Sequence, residues 1–104
     1  MSEYTSIKEE VLRKLGDHLP EIRDRFGIRT IGVFGSVSRG EDTPESDVDI
    51  LISFQEGQAR FINMVYLGDY LEELFGRKVD LITHDGISKY MRPYIEAEVI
   101  SLEA

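Results

Sequence analysis

The chain has 104 residues, 41% hydrophobic and 31% charged, and its 12 Lys+Arg against 20 Asp+Glu give a net charge of −8. This length suits one domain over 1–104 with one core, and the composition excludes a disordered chain. The absence of cysteine rules out disulfides, thiolate zinc sites and a cysteine nucleophile. No apolar run approaches the ~18 residues of a membrane span. The start, Met1-Ser2-Glu3-Tyr4, carries no basic-then-apolar signal. A soluble, cytoplasmic protein is therefore expected. The negative balance disfavours broad binding to nucleic acid, while its acidic residues could recruit metal.

In chain order, Glu3 to Phe26 reads as helical. Ser6-Ile7-Lys8-Glu9 has the Ser-x-x-Glu form of a capping box, and Ile7, Val11, Leu12, Leu15 and Leu19 form one apolar stripe. Pro20 lacks an N–H, so it is expected to end that helix and start a short second one, closed by Gly27. Ile28 to Phe34 reads as a strand, and Val48 to Phe54 as a second. Glu56 to Gln58 reads as a loop, and Ala59 to Phe75 as a helix with Gly76 as its cap. Lys78 to Thr83 is the third strand. Ile87 to Tyr94 gives a weaker helical pattern, interrupted by Pro93, and Glu96 to Ala104 carries no pattern. This order predicts an α/β (α+β) fold, one mixed β-sheet with helices packed on it.

Three features between and within those strands bear on chemistry. Gly35-Ser36 follows an apolar strand directly. Glycine lets backbone approach a bulky ligand, and a helix starting at Ser36 would offer N–H groups and a hydroxyl to a phosphate. Taken alone, the pair is weak evidence, and an ordinary turn capped by serine is the plainer reading. Asp47-Val48-Asp49 opens the second strand, so both carboxylates share a face while Val48, Ile50 and Ile52 face the core. Two such carboxylates repel unless a cation lies between them, and Mg²⁺ commonly bridges carboxylates to phosphates. A solvated turn with two aspartates is the plainer alternative. Asp80 sits inside the third strand among Val79, Leu81 and Ile82. It could join the pair if the strands are adjacent, or form an ion pair with Arg77 or Lys78. Together, a phosphate cradle and three carboxylates form a constellation for two metal ions and a triphosphate.

At these residues the chain resembles the minimal nucleotidyltransferase (MNT) family of the polymerase-β-like nucleotidyltransferase superfamily. Its signature is Gly-Ser, ten residues, then Asp-x-Asp; here Gly35-Ser36, Val37 to Ser46, and Asp47-Val48-Asp49 fit without a gap. Arg39-Gly40-Glu41 and Ser46 match the family's usual filling of that loop, and Val79-Asp80-Leu81 matches the third carboxylate. Ser38 stands where the family most often has alanine. The resemblance implies the polymerase-β palm-like fold. It implies that Gly35 and Ser36 hold the β/γ-phosphates of a nucleoside triphosphate, ATP above all. Asp47 and Asp49 would ligate two Mg²⁺ ions, and Asp80 the catalytic ion while helping deprotonate the acceptor hydroxyl. Arg39 would contact phosphate, or else pair with Glu41 or Asp42.

Larger relatives add a C-terminal domain for the acceptor, and the 24 residues after Asp80 are too few for one. A partner, or a second copy in a homo- or hetero-oligomer, is thus expected to hold the acceptor. Short members of the family resemble type VII antitoxins that transfer AMP to a tyrosine of a HEPN-domain toxin. The alternative is a non-catalytic binding module that neutralises a toxin by complex formation. Transfer to RNA or a small molecule ranks lower, and no basic, aromatic-rich surface for single strands is evident.

Overall fold

The computed structural model describes residues 3–102. Helix α1 spans Lys8–Phe26, strand β1 Ile28–Phe34, the short helix α2 Gly35–Arg39, and β2 Val48–Phe54. Then follow α3 (Phe61–Phe75), β3 (Val79–Thr83), a 3₁₀ turn (His84–Gly86), α4 (Arg92–Glu98) and β4 (Ile100–Leu102). The strands form one mixed sheet in the order β3-β2-β1-β4, with β3 parallel to β2 and the other pairs antiparallel. The predicted mixed sheet with helices is therefore present, with one strand more than expected.

The sheet is covered on both faces, which explains why β1 reads as nearly continuously apolar. On one face lie α1 and α3. Val11, Leu15, Ile22, Leu67 and Leu71 from the helices meet Ile31, Val33, Val48, Ile50 and Ile52 from the strands, all 1% exposed or less. On the other face a smaller cluster joins Phe34 and Leu51 to Ile87 and Ile95. That second cluster covers only part of its face, and the uncovered end carries the acidic residues.

Several expectations on the helices need correction. Pro20 does not divide α1, which runs through it as one helix. Pro20 and Gly16 both lie on the solvent side, so water can satisfy the carbonyl that Pro20 leaves without an N–H partner. The buried Leu19 and Ile22 hold the helix to the sheet on either side of it. Pro93 likewise does not interrupt a helix but sits in the first turn of α4, where no N–H is needed. The stretch from Ile87 to Met91 is turn rather than helix, and the unpatterned tail supplies the end of α4 and the edge strand β4. Glu103 and Ala104 lie outside the described residues. Helix α3 starts at Phe61 rather than Ala59, and β3 at Val79 rather than Lys78. Gly27 and Gly76 close α1 and α3 as predicted.

The capping box does not form. Helix α1 starts at Lys8 rather than Glu3, and no side chain caps its N-cap residue, Ile7. Ser6 accepts from the Lys8 N–H at 3.1 Å and donates to Asp42, a residue 36 positions away. Asp42 also accepts from the Ile7 N–H at 3.1 Å and the Tyr4 hydroxyl at 2.5 Å. A tertiary carboxylate thus replaces the local Glu9. Burial pushes the Asp42 carboxyl up, but the bonds from Ser6, Tyr4 and the Ile7 N–H outweigh it and leave it below the ordinary range.

Asp42→Asn is expected to destabilise the fold by about 2 kcal/mol, the scale of a buried, charge-assisted bond set. Because the folded-state value is depressed, this stabilisation is present above the unfolded value of 3.8 and is lost as pH falls through the lower folded value. Urea midpoints for both chains at neutral pH and near pH 3 test it: the gap should narrow in acid. An equal gap at both would locate the effect elsewhere.

Candidate active site

Three backbone ends meet at the uncovered corner of the sheet. Strand β1 ends at Phe34, paired with Asp49 at the start of β2, and Asp49 pairs in parallel register with Asp80 at the start of β3. Partners opposite each other share a face, so Asp49 and Asp80 project side by side. Val48 N–H bonds to the Lys78 carbonyl at 2.8 Å, and Val79 N–H to Glu72 Oε2 at 3.1 Å. These bonds fix β3, and with it Asp80, against β2 and the last turns of α3. Asp47 lies just before β2 and is exposed, Asp49 is half-buried and Asp80 is exposed. No ion pair ties Asp80 to Arg77 or Lys78 among the described residues.

Asp49 is the electrostatic centre. Its carboxyl is pushed up from 3.8 to about 6 by burial first, then by Asp80, Asp47 and Glu98, with Arg39 pulling the other way. Such crowding of like charges is uncommon in a structural role and marks functional sites. It suits a hard divalent cation, which would relieve the repulsion. Among the described residues, no three of His, Asp and Glu already converge as a cage for an ion. An ion held largely by substrate phosphates and water needs no such cage, since one or two carboxylates suffice for Mg²⁺.

Gly35 explains why the turn after β1 has no side chain. Its φ is +75°, and a Cβ there would lie 2.0 Å from Asp49 Oδ2. The backbone therefore passes against the carboxylate in a space only glycine can occupy. Ser36 is half-buried one residue on, at the start of α2. The buried Ser38 hydroxyl donates to the Gly35 carbonyl at 2.7 Å and steadies the turn. Ser38 thus adds a bond that alanine could not make.

Arg39 pairs with Glu41 through Nε at 3.4 Å and, more closely, with Glu98 through a terminal nitrogen at 2.6 Å. It does not pair with Asp42. Two further residues have a part here: Arg77, expected only as an ion-pair partner of Asp80, and Glu98, which the sequence did not single out. Arg77 donates to the Thr43 and Ser46 carbonyls at 3.1 and 2.9 Å, and to the Tyr4 hydroxyl at 2.6 Å. It clamps the loop that delivers Asp47. Glu98, from the unpatterned tail, reaches Gly35 as well as Arg39. Two surface hollows, one beside His18 and Tyr70, the other beside Phe54 and His84, contain none of the candidate residues.

Residues 15–102 match the family model described as the nucleotidyltransferase domain. A protein adenylyltransferase, MntA, of Thermococcus cleftensis is 41% identical over 92 residues, covering 88% of this chain and 92% of its own. A solved structure provisionally named a minimal nucleotidyltransferase superposes with a TM-score of 0.74 at 34% identity, over 88% of this chain and 92% of its own. The MNT antitoxin–AMPylated HEPN toxin complex of Shewanella oneidensis aligns with a TM-score of 0.64 at 19% identity, over 93% of this chain and 72% of that one, and shares the fold. The family match over residues 15–102 makes the chain a nucleotidyltransferase, and the mixed sheet agrees with that class. The chain belongs to the nucleotidyltransferase domain family and, within it, to the minimal nucleotidyltransferases. Among the described residues no helix is long and apolar enough to cross a membrane.

Proposed function

We propose that the chain transfers AMP from ATP to a hydroxyl, a tyrosine of a HEPN-domain toxin partner, and so acts as an antitoxin in the cytoplasm. The observation that carries this reading is the glycine turn pressed against Asp49, with Asp80 in register beside it. The MntA relative is named a protein adenylyltransferase, and the Shewanella complex holds an AMPylated HEPN toxin with its MNT antitoxin. Exposed Phe61, Ile62 and Tyr66 on α3, with Tyr90, Met91 and Tyr94 around α4, offer apolar surface for a partner. The whole of 1–104 is read as one catalytic domain whose acceptor site the partner completes.

In this reading Gly35 and Ser36 bind the β/γ-phosphates, with Arg39 as a further phosphate contact. Asp47, Asp49 and Asp80 would hold two Mg²⁺ ions, which supply charge neutralisation at the phosphates when bound. The acceptor oxygen bonds to the α-phosphorus while the bond to the α,β-bridging oxygen breaks, and pyrophosphate leaves. Asp80, exposed at the rim, takes the hydroxyl proton. Asp49, half-buried behind it, stays fixed by its place in the sheet.

Labelled ATP, Mg²⁺, the chain and a candidate HEPN protein test the reading by intact mass. One or more AMP units on the partner are expected, and none with Asp47→Asn/Asp49→Asn. A stable complex with no mass gain would favour neutralisation by binding alone.

A further inference from the structure

The corner that gathers Asp47, Asp49 and Asp80 also holds a fourth carboxylate. Glu98, the last residue of α4, has a side chain only 24% exposed. Its presence adds to the repulsion on Asp49. Among the described residues, two groups hold it there. Glu98 Oε1 accepts from the Gly35 N–H at 2.9 Å, and Oε2 accepts from Arg39 at 2.6 Å. One oxygen rests on a backbone donor and the other on a guanidinium. That is how two oxygens of a phosphate group are commonly bound.

We propose that Glu98 is an internal placeholder for phosphate, seated on the Gly35 N–H and Arg39, which nucleoside triphosphate must displace in order to bind. This rests on the reading of Gly35 as part of the phosphate cradle. One N–H cannot serve two anions, and a phosphate seated on the Gly35 N–H would lie against the Glu98 carboxylate now held there, like charge against like charge. A polyphosphate carrying its own cation brings several charge-assisted bonds to offset the loss of Glu98. A nucleoside alone brings none. Glu98 therefore makes the site demand phosphate and lowers its affinity in return. When Glu98 leaves, Arg39 keeps its longer contact to Glu41 and is free to turn to phosphate. The contrasting role is a simple strap between α2 and α4, which nucleotide would leave in place.

Titration calorimetry of the full chain with Mg-ATP, and separately with adenosine, distinguishes the two. Glu98→Ala is expected to bind Mg-ATP about tenfold more tightly than the natural chain, the scale of one charge-assisted contact no longer in competition. Glu98→Gln, which keeps the shape without the charge, should move the same way by a smaller factor. Adenosine binding should not tighten. A thermal melt of each variant establishes that it is folded, and Glu98→Gln serves if Glu98→Ala is not. If the natural chain binds Mg-ATP and neither folded variant binds it more tightly, the placeholder is wrong and the phosphate cradle stands. Equal tightening toward adenosine overturns it too, since that would be a general loosening of the site. If all three folded chains fail to bind Mg-ATP, the reading of the cradle falls and the placeholder with it.

Discussion

Asp49→Asn is expected to reduce nucleotidyl transfer on the order of a thousandfold, the scale for losing a major electrostatic contributor to a transition state. The same change should make the chain more stable at neutral pH. The folded carboxyl is raised to about 6, against 3.8 for the free group. Between those values the folded chain keeps a proton that the unfolded chain has released. Stability therefore falls as pH rises through that window, and the full cost is present at neutral pH. Burial is the first cause, followed by Asp80, Asp47 and Glu98, while Arg39 opposes them. Solvent reaches part of the group, which cuts the cost to about 1 kcal/mol. Asn carries no charge, so the variant should gain that amount near pH 7 and nothing near pH 4. Urea denaturation at both values measures it. Mg²⁺ should raise the natural chain's midpoint near pH 7 and leave the variant's unchanged. A variant that transfers within tenfold of the natural chain, or whose stability gain over the natural chain is no larger near pH 7 than near pH 4, contradicts the assignment.

Most of the candidate site lies within one short stretch of sequence. Gly35-Ser36 and Asp47-Val48-Asp49 lie on one turn and the following strand. Their spacing carries the geometry with no knowledge of the rest of the fold. Strands β1 and β2 were legible for a related reason: both are central, seven residues long and rich in β-branched residues. Asp80 required one further step, the adjacency of β3 and β2, which parallel register supplies.

What could not be read was tertiary in origin. Glu98 lies 63 positions from Gly35, and nothing near it in sequence points to an active site. Arg77 acts on carbonyls of a loop more than 30 positions away, and no side-chain pattern encodes that. Asp42 displaced a capping box whose local logic was sound, because a buried carboxylate with three donors is a better acceptor set than Glu9 offered. Strand β4 has three residues, too few for an alternation to declare itself.

Gly35→Ala should be nearly as damaging to transfer as loss of Asp49, and by a different route. Two costs act at once. Alanine at φ +75° pays about 1–2 kcal/mol for the left-handed backbone. Its Cβ would also stand 2.0 Å from Asp49 Oδ2, closer than packed atoms come, and a tight 3.0 Å from Cγ, so something must shift. The carboxylate is the softer partner, because Asp49 is only half-buried while its backbone is fixed between β1 and β3. It would turn away from the corner, and a displacement of about 1 Å at the reacting centre can cost a hundredfold in rate.

Gly40 supplies the control. Its φ is +70°, yet a Cβ there meets nothing within 4 Å. Gly40→Ala should therefore carry the backbone cost alone, about 1 kcal/mol, and keep transfer within a few-fold. If both variants lose transfer alike, the left-handed turn rather than the space beside Asp49 is what matters. The double change Gly35→Ala/Asp49→Ala removes the collision. Its stability loss should fall short of the sum of the two single changes, because shortening residue 49 clears the space that the new methyl group needs. Strict additivity would mean that the two residues do not press on one another in the folded chain.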